Sequence, residues 1–259
     1  MKILVIGATG SIGLEVVDYA IAQGHDVRAV VRKSSNTKYL NKSAEIYVAD
    51  ITKTEELVGA VKDIDAVVFT HGVPSPTPAT SESVNYGAVQ NVLDALQGKK
   101  VAIALMTAIG VTTRQSSYNK SSQSGEWKLR SERLVRASGN HYTIVRPGWF
   151  DYQPASDNKF WLAQGDTRAH LNPSEIGVAR VHIAKVLVEA LTSKAANGKT
   201  FELYDQTGEE QVNLEPVFAA LKPDQKSDSD GPLDNAGLPY AEEPTRVKEA
   251  LSRIGSYSK

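Results

Sequence analysis

The sequence reads Lys2-Ile3-Leu4-Val5-Ile6-Gly7-Ala8-Thr9-Gly10-Ser11-Ile12-Gly13 near its first residue. Four consecutive aliphatic residues, from Ile3 to Ile6, are typical of a strand that is buried on both faces of a sheet. Small residues follow, and apolar side chains then recur with helical spacing at Ile12, Val16, Val17 and Ala20. This stretch predicts a strand, a tight turn and a helix.

The turn has the composition of a phosphate-binding site. Glycines accept positive φ and let the backbone approach a ligand, and a helix start offers unpaired N–H groups to an anion. The glycines are spaced as GxxGxxG and not as the GxGxxG of the most familiar dinucleotide fold. A purely structural glycine turn has the same composition, but its place between a strand and a helix favours nucleotide binding. We expect the cofactor to contact Gly7, Thr9, Gly10, Ser11, Ile12 and Gly13.

The segment from Gly7 to Gly13 resembles that of the extended and atypical short-chain dehydrogenases/reductases. Arg146-Pro147-Gly148, after a predicted strand, and the helix sequence from Trp127 to Gly139 narrow the resemblance to the atypical, NmrA-like group that lacks the usual tyrosine. The resemblance covers residues 1–205. It implies an α/β fold with a doubly wound, mostly parallel sheet, that is, a Rossmann-type NAD(P)-binding domain with a small substrate-side lobe. Residues 206–259 are expected to form a C-terminal arm and short helix, not an independent domain.

Composition limits the partners. The 259 residues are 41% hydrophobic, enough for a core, and a formal net charge of -1 gives no reason to expect nucleic acid or an anionic membrane as a partner. The absence of cysteine excludes disulfides, thiolate metal sites and a cysteine nucleophile, and we expect no metal. No run of residues approaches the roughly 18 apolar residues of a membrane helix, and the first apolar run is too short for a signal peptide. We expect a soluble, cytoplasmic monomer or homodimer with a small-molecule substrate.

The second predicted strand, Asp26–Val31, ends in Arg32 and Lys33. NAD-specific folds place an acidic side chain near this point, whereas a 2′-phosphate suits a basic one. This favours NADP, with NAD as the alternative, although a solvated basic loop has the same composition.

A third predicted strand, Glu45–Ala49, is followed by Asp50 and Ile51, which the resemblance implies are adenine contacts. Capping of the next helix, from Thr54 to Val61, by Thr52 or Thr54 explains the same loop without a ligand.

Ligands of open α/β sheets lie beyond the carboxyl ends of the strands. The fourth predicted strand, Ile64–Thr70, ends there, so we expect Thr70, His71 and Gly72 to border the cofactor. The pKa of a histidine suits an acid, but a hydrogen-bonded wall residue is the alternative role for His71. The proline-rich residues 73–80 are expected to form a loop over the groove, and residues 83–96 a helix with a core role.

The catalytic positions follow the resemblance only in part. Thr107, after the predicted strand Val101–Leu105, matches the family's Ser or Thr that bonds a substrate carbonyl. Aligning Lys128-x-x-x-Glu132 with the family pattern keeps the lysine, which holds the nicotinamide ribose, and places Ser124 where the tyrosine should stand. Tyr118 can replace the tyrosine only if residues 116–124 fold back. A surface pair between Lys128 and Glu132 is the alternative.

Loss of the tyrosine makes ordinary ketone reduction unfavourable, because serine is a much weaker acid than a phenol. Hydride delivery to a flavin, quinone or conjugated tetrapyrrole needs little acid help. The resemblance also implies that Pro147 and Gly148 place backbone beside the nicotinamide, and we interpret Arg146 as a structural ion-pair partner. Five aromatic residues follow, which line a flat acceptor pocket or pack in the core: Trp149, Phe150, Tyr152, Phe160 and Trp161.

The last third predicts an amphipathic helix in the later part of residues 174–191 and a strand, Thr200–Tyr204, at the sheet edge. Residues 222–244 are dense in Asp, Ser, Pro and Gly and predict a loop or arm. Pro244 is expected in the first turn of a short helix that reaches Ile254.

Three functions are compatible with this pattern. The first is an NADP-dependent oxidoreductase of the atypical short-chain type that reduces a small, flat conjugated acceptor. The second is a non-catalytic NADP(H) sensor that regulates a partner protein, which the missing tyrosine favours. A nucleotide-sugar epimerase or dehydratase is weaker, because those reactions usually need the absent tyrosine. An aromatic-lined cavity at the nicotinamide would favour the enzyme over the sensor.

Overall fold

The computed structural model describes residues 1–225 and 229–257. Within these residues the strands are β1 (Lys2–Ile6), β2 (Asp26–Val31), β3 (Glu45–Val48), β4 (Ala66–Phe69), β5 (Ala102–Met106), β6 (His141–Pro147), β7 (Trp149–Phe150), β8 (Lys159–Ala163), β9 (Gly177–Val178) and β10 (Lys199–Gln206). The α-helices are α1 (Ser11–Ala22), α2 (Thr54–Leu57), α3 (Pro78–Thr80), α4 (Gly87–Leu96), α5 (Ser117–Ser122), α6 (Ser124–Ala137), α7 (Arg180–Ala190), α8 (Glu215–Ala219) and α9 (Thr245–Ser256). A π-helix spans Ser81–Tyr86 and a 3₁₀ turn spans Tyr240–Glu242.

The main sheet of the described residues has eight strands in the order β3-β2-β1-β4-β5-β6-β10-β8. Neighbouring strands are parallel except β8, which runs antiparallel to β10. The chain order reverses between β1 and β4, and ligands of doubly wound sheets bind in the crevice at such a point. The predicted fold class, a doubly wound, mostly parallel Rossmann sheet, is confirmed.

Successive side chains of the strands point to opposite faces of the sheet and pack into two hydrophobic cores. Val5 belongs to the core that α1 and α7 cover, and Leu4 belongs to the core under α4, α6 and α9. Both side chains are fully buried, and such burial stabilises a fold by about 1.5–3 kcal/mol for each side chain. Burial on both faces explains why the predicted strands are continuous apolar runs.

The late strand does not lie at the sheet edge, contrary to the expectation. β10 lies between β6 and β8, and the edge strand is β8, which falls inside the aromatic-rich stretch. The reason is that β10 carries buried carboxylates: Glu202 pairs with Arg146, and Asp205 bonds to His182. The partners of these acidic residues make an interior strand stable.

Several boundaries also differ from the prediction. The loop after β4 ends at Thr77, whose side chain caps α3, so the helical segment begins before residue 83 and passes through the π-helix into α4. At the other end of the sheet, Arg146 and Pro147 belong to β6 and do not follow it. Helix α2 is shorter than the predicted Thr54–Val61.

Residues 222–244, here called the arm, are irregular where they are described, apart from the 3₁₀ turn, and residues 226–228 lie outside the described part. Pro244 is the N-cap of α9 rather than a residue of its first turn. The arm's carboxylates pair with arginines: Glu243 with Arg130 and Arg133, Asp230 with Arg133, Asp224 with Arg136, and Asp234 with Arg146. Three of these arginines lie on α6, so the arm is bonded to that helix over its length.

Among the described residues, no helix has the length and apolar character needed to cross a membrane.

Candidate functional site

A cavity of about 580 Å³, cavity 1, lies at the point where the strand order reverses. It is lined by residues from four successive strand ends, which the topology brings together although they are distant in sequence. Nine of the predicted cofactor residues line it: Gly7, Thr9, Gly10, Arg32, Asp50, Ile51, Thr70, His71 and Gly72.

The turn after β1 forms a compact cradle. Gly7 has a φ of +91°, and its carbonyl accepts a 2.9 Å hydrogen bond from the Gly10 N–H. A Cβ atom on Gly13 would lie 2.1 Å from the Gly7 oxygen, so only glycine lets α1 start this close to the turn. No side chain caps the start of α1. Uncapped N–H groups beside an open cavity fit a diphosphate.

The remaining residues of the turn do not line the cavity. Ile12 and Gly13 are buried beneath the turn, and Ser11 is exposed at the helix start. They shape the cradle through packing, whereas Gly7, Thr9 and Gly10 face cavity 1.

The basic pair after β2 is divided by the fold. Arg32 lines cavity 1 together with Ser35, whose hydroxyl accepts the Arg32 N–H at 3.1 Å. Lys33 is exposed and is not among the lining residues. Of these two basic residues, Arg32 is therefore the one that borders cavity 1.

Asp50 accepts hydrogen bonds from the Thr52 N–H at 2.9 Å and the Thr52 hydroxyl at 2.7 Å, and these bonds lower the pKa of Asp50. Helix α2 has Lys53 as its N-cap, without a side-chain cap bond. The alternative role of Thr52 or Thr54 as the cap of α2 is therefore wrong.

Thr70 and His71 form the wall of cavity 1 at the end of β4. The Thr70 hydroxyl donates to the Ile6 carbonyl at 3.1 Å. Burial lowers the pKa of His71 to about 4, the positive charge of Lys128 acts in the same direction, and Nδ1 of His71 is buried with no partner among the described residues. A ring that is neutral at physiological pH suits a wall residue better than a proton donor.

A second cavity of about 260 Å³, cavity 2, lies beside the start of α6. The short helix α5 folds back towards α6, so Tyr118, Ser124 and Lys128 line the same cavity. Tyr118 is 60% exposed and Trp149 is 47% exposed, and both line cavity 2. The fold-back that a role for Tyr118 required is therefore present.

Asn119 fixes the start of α6. Its Oδ1 accepts the N–H groups of Gly125 at 2.9 Å and Glu126 at 3.3 Å, although the residue lies outside the helix. Ser124 accepts a 3.2 Å hydrogen bond from Nδ2 of Asn85 in the π-helix. Sequence reasoning gave Asn119 no role and treated the segment of Asn85 as core. Spacing alone does not reveal such cross-element contacts.

Lys128 lines cavity 2, and its ammonium group has no hydrogen-bond or ion-pair partner among the described residues. Burial lowers the pKa of Lys128, while the charge of Glu132 acts in the opposite direction. Glu132 is fully buried and pairs with Arg146 at 2.7 Å and Arg136 at 3.1 Å. The interpretation of Lys128 and Glu132 as a surface pair is therefore wrong.

Besides Lys33 and the turn residues already described, three more predicted site residues line neither cavity: Thr107, Pro147 and Gly148. The Thr107 hydroxyl donates to Oε1 of Glu132 at 2.8 Å and is buried there. Gly148 is packed so tightly that a Cβ atom would lie 1.9 Å from the Ile176 carbonyl oxygen. Thr107 is therefore bonded to the buried Glu132 and does not face an open site.

The interpretation of Arg146 as a structural ion-pair partner is confirmed. It is fully buried, and its guanidinium pairs with Glu132, Glu202 and Asp234. The surrounding carboxylates raise its pKa well above the ordinary value against the effect of burial, so it stays charged.

The aromatic stretch is divided between the two predicted roles. Trp149 lines cavity 2 and packs edge-to-face on Tyr152 at 6.1 Å. Phe160 and Trp161 lie on β8 and pack on His182 and Tyr204. One ring of the stretch therefore borders the cavity, whereas the β8 rings belong to packing.

No group of three or more His, Cys, Asp or Glu side chains in residues 1–225 and 229–257 is arranged to hold a metal ion.

The sheet order, the glycine cradle and cavity 1 together define a Rossmann-type dinucleotide-binding protein. A family model described as NAD(P)H-binding matches residues 7–194, and the chain belongs to this family. The resemblance to the atypical, NmrA-like short-chain group is confirmed, and a nicotinamide cofactor follows from family membership.

Relatives cover most of the chain. An uncharacterized chloroplastic protein of Arabidopsis thaliana is 30% identical over 85% of this chain and 82% of its own length. Sanguinarine reductase of Eschscholzia californica is 24% identical, covering 83% and 93% of the two chains. An NAD(P)H azoreductase of Xenophilus azovorans is 26% identical, and the match covers 85% of this chain and 72% of the azoreductase.

Solved structures show the same fold. The crystal structure of an oxidoreductase from Lactococcus lactis matches 85% of this chain and 96% of its own, with a TM-score of 0.66 and 14% identity. An anaerobillin reductase from Escherichia coli O157:H7 matches 82% of this chain and 100% of its own, with a TM-score of 0.63 and 20% identity.

Proposed function

We propose that this protein is an NADP-dependent oxidoreductase that transfers hydride from NADPH to a small, flat conjugated acceptor. The observation that carries the proposal is the unpartnered ammonium of Lys128 in cavity 2, next to the cavity that suits a dinucleotide. The positive charge of Lys128 contributes to the lowered pKa of His71, which lines cavity 1, so the two side chains are close enough to interact electrostatically.

The dinucleotide would occupy cavity 1. Gly7, Thr9 and Gly10 would hold the diphosphate, Arg32 the 2′-phosphate, and Asp50 and Ile51 the adenosine. Ser11, Ile12 and Gly13 would support the cradle from below, and Lys33 would add long-range positive charge only. Thr70, His71 and Gly72 would form the wall along the ribose and nicotinamide, with Lys128 bonded to that ribose. NAD remains the alternative cofactor.

The acceptor would enter cavity 2. When bound, NADPH supplies the hydride and is oxidised to NADP, and the acceptor takes up one proton from water. The Lys128 ammonium would stabilise the negative charge that develops on the acceptor, since a fixed charge in a poorly solvated site acts more strongly than in water. The rings of Tyr118 and Trp149 would contact a flat acceptor by stacking.

The proton source decides which acceptors are suitable. Ser124 is bonded to Asn85 and is a much weaker acid than the phenol it replaces, and the Thr107 hydroxyl is bonded to Glu132. Tyr118 is the candidate residue of cavity 2 to pass the proton from water to the acceptor. An acceptor that spreads the incoming charge over a conjugated system needs no strong acid. Two relatives support this class by name, a sanguinarine reductase and an azoreductase.

The same cavity argues against a purely regulatory sensor. A sensor needs only the dinucleotide site, whereas this chain has a second cavity with aromatic side chains and a free cation at its wall. The division into residues 1–205 and 206–259, the cytoplasmic location and the monomeric or homodimeric state remain predictions of the sequence.

The test is a panel of acceptors with NADPH: FMN, menadione, methyl red and sanguinarine, followed by the loss of NADPH absorbance. We expect turnover with at least one acceptor. Lys128→Met should lower kcat/KM about tenfold or more, because a charge that stabilises the transition state is lost. Lys120→Met is the matched control, since Lys120 is exposed on α5 and lines neither cavity.

Absence of turnover across the panel, in protein that binds NADPH by calorimetry, would reject the enzyme and favour the sensor. Equal losses in the Lys128 and Lys120 variants would reject the role of Lys128.

A further inference from the structure

One wall of cavity 2 is an irregular loop. Residues 109–113, here called the acceptor loop, follow β5, and four of its five residues line the cavity: Ile109, Gly110, Val111 and Thr113. Gly110 has a φ of +77°, and no helix or strand of the described residues includes this segment. The shape of the cavity therefore depends on whatever holds the loop in place.

Asp166 holds the acceptor loop from the inside. Its carboxylate accepts the Gly110 N–H at 2.6 Å, the Thr112 N–H at 2.9 Å and the Thr112 hydroxyl at 2.8 Å. Three hydrogen bonds to one carboxylate fix the loop at Gly110 and Thr112, and the Ile109 N–H donates to the Pro147 carbonyl of β6 at 3.3 Å.

Two costs accompany this arrangement. Asp166 is 5% exposed, and burying a carboxylate is unfavourable unless its oxygens are bonded. Its backbone is left-handed, with a φ of +51°, which strains a non-glycine residue. The bonds to the loop compensate for the burial, and such strain concentrates at functional sites.

The other side of the loop rests on the C-terminal arm. Val111 packs in a buried cluster with Leu129, Ala236 and Leu238. Arg114, the next residue after the loop, donates to the Gly237 carbonyl and pairs with Glu126 at 3.2 Å. None of these residues lines cavity 1, so the contacts that hold the acceptor loop act on cavity 2 only.

We infer that Asp166 is a positioning residue of the acceptor site: it fixes the acceptor loop, and through it the shape of cavity 2, without contacting the acceptor or the cofactor. This inference rests on the proposed function for the identity of the ligand in cavity 2. The statement that Asp166 fixes the acceptor loop does not depend on that function. Its consequence is that acceptor affinity depends on Asp166 and that dinucleotide affinity does not.

The test is Asp166→Asn, which keeps the left-handed backbone because asparagine tolerates it, but removes the charge and turns an amide donor towards the loop amides. We expect the KM of the acceptor to rise about tenfold, as for the loss of a charge-assisted hydrogen bond, with NADPH Kd within twofold. Amide hydrogen exchange at Gly110 and Thr112 should accelerate by about tenfold. Asp63→Asn, at an exposed left-handed aspartate that lines neither cavity, should change none of these.

The outcomes separate this inference from the proposed function. Unchanged exchange at Gly110 and Thr112 in the folded variant would show that Asp166 does not hold the loop. Faster exchange with an unchanged acceptor KM would reject the positioning role. Equal weakening of NADPH binding and acceptor binding would also reject it. Lack of turnover in the wild-type protein would reject the proposed function and, with it, the role of Asp166 in acceptor binding. The exchange data would still show whether Asp166 holds the acceptor loop.

Discussion

Arg32 is the residue on which cofactor preference should depend. It lines cavity 1, whereas the neighbouring Lys33 is exposed and does not. Arg32→Glu should weaken NADPH binding about tenfold or more and leave NADH binding within about threefold, because a charge-assisted bond to the 2′-phosphate becomes repulsive. Calorimetry with both dinucleotides measures this.

Lys33→Glu provides the control, because it changes the net charge equally. We expect at most about a twofold effect there, since the charge is solvated and screened. If both variants weaken NADPH binding equally, the preference for NADPH comes from the overall positive charge of this loop and not from a bond between Arg32 and the 2′-phosphate.

Sequence and structure agree at the residue scale where one local pattern was involved. The positions of the glycine turn and of Arg32 beside cavity 1 were predictable, because each follows a strand within a few residues. The buried pairing of Glu132 with Arg146 was not, because a Lys-x-x-x-Glu pattern on a helix is equally typical of an exposed pair. Only the position of β6 beneath α6 shows which partner Glu132 takes.

At the scale of elements, the β1-turn-α1 unit depends on close packing. A Cβ atom on Gly13 would lie 2.1 Å from the Gly7 oxygen and 2.8 Å from Ala8 Cα. Gly13→Ala must therefore shift the helix or the turn. We expect it to lower the free energy of unfolding by about 1–3 kcal/mol and to weaken NADPH binding at least about tenfold, measured by urea unfolding and calorimetry.

Gly72→Ala is the companion variant. A Cβ atom there would meet no atom within 4 Å, but Gly72 lines cavity 1. Its stability should stay unchanged while NADPH binding weakens. A Gly13→Ala protein with unchanged stability and binding would contradict the tight-cradle interpretation.

Element boundaries were predictable where hydrophobic periodicity was clear, as for β2, which spans the predicted Asp26–Val31. Strand β8 and helix α5 were missed, because five or six residues with mixed polarity carry little periodic signal. The interior position of β10 was missed because its carboxylates find partners on other elements.

At the scale of the whole molecule, the ion-pair network around Arg146 should make stability depend on pH. Burial, with the charge of Asp166 adding to it, raises the pKa of Glu202 from 4.5 to about 7, against the opposing effect of Arg146. The folded state therefore holds more protons than the unfolded state between these values. The contribution of Glu202 to stability is full below pH 4.5 and is lost as the pH rises through about 7.

Glu202→Gln removes this titration by imitating the protonated side chain. Relative to the wild-type protein, its free energy of unfolding should rise by about 1–3 kcal/mol between about pH 5 and about pH 8, measured by urea unfolding. Glu249→Gln, at an exposed carboxylate, serves as the control. Parallel stability profiles for the Glu202 variant and the wild-type protein would show that Glu202 does not titrate in this range.

The contacts of the arm could not be predicted from the sequence. Its Asp- and Pro-rich composition indicated a loop, and its described residues are mostly irregular. Its carboxylates nevertheless pair with arginines of α6 and β6 that lie about a hundred residues earlier. Composition reports on local preference and carries no information on these distant partners.

The residue order alone was sufficient for the strand-turn-helix unit, the doubly wound sheet and most of the predicted residues that line cavity 1, because hydrophobic period and glycine conformation act over a few neighbouring residues. Cavity 2 required the folded chain. The bond from Gly125 of α6 to Asn119, the bonds from the acceptor loop to Asp166 and the place of Lys128 in cavity 2 depend on contacts between separate elements. Such contacts form only after the cores on both faces of the sheet have brought those segments together.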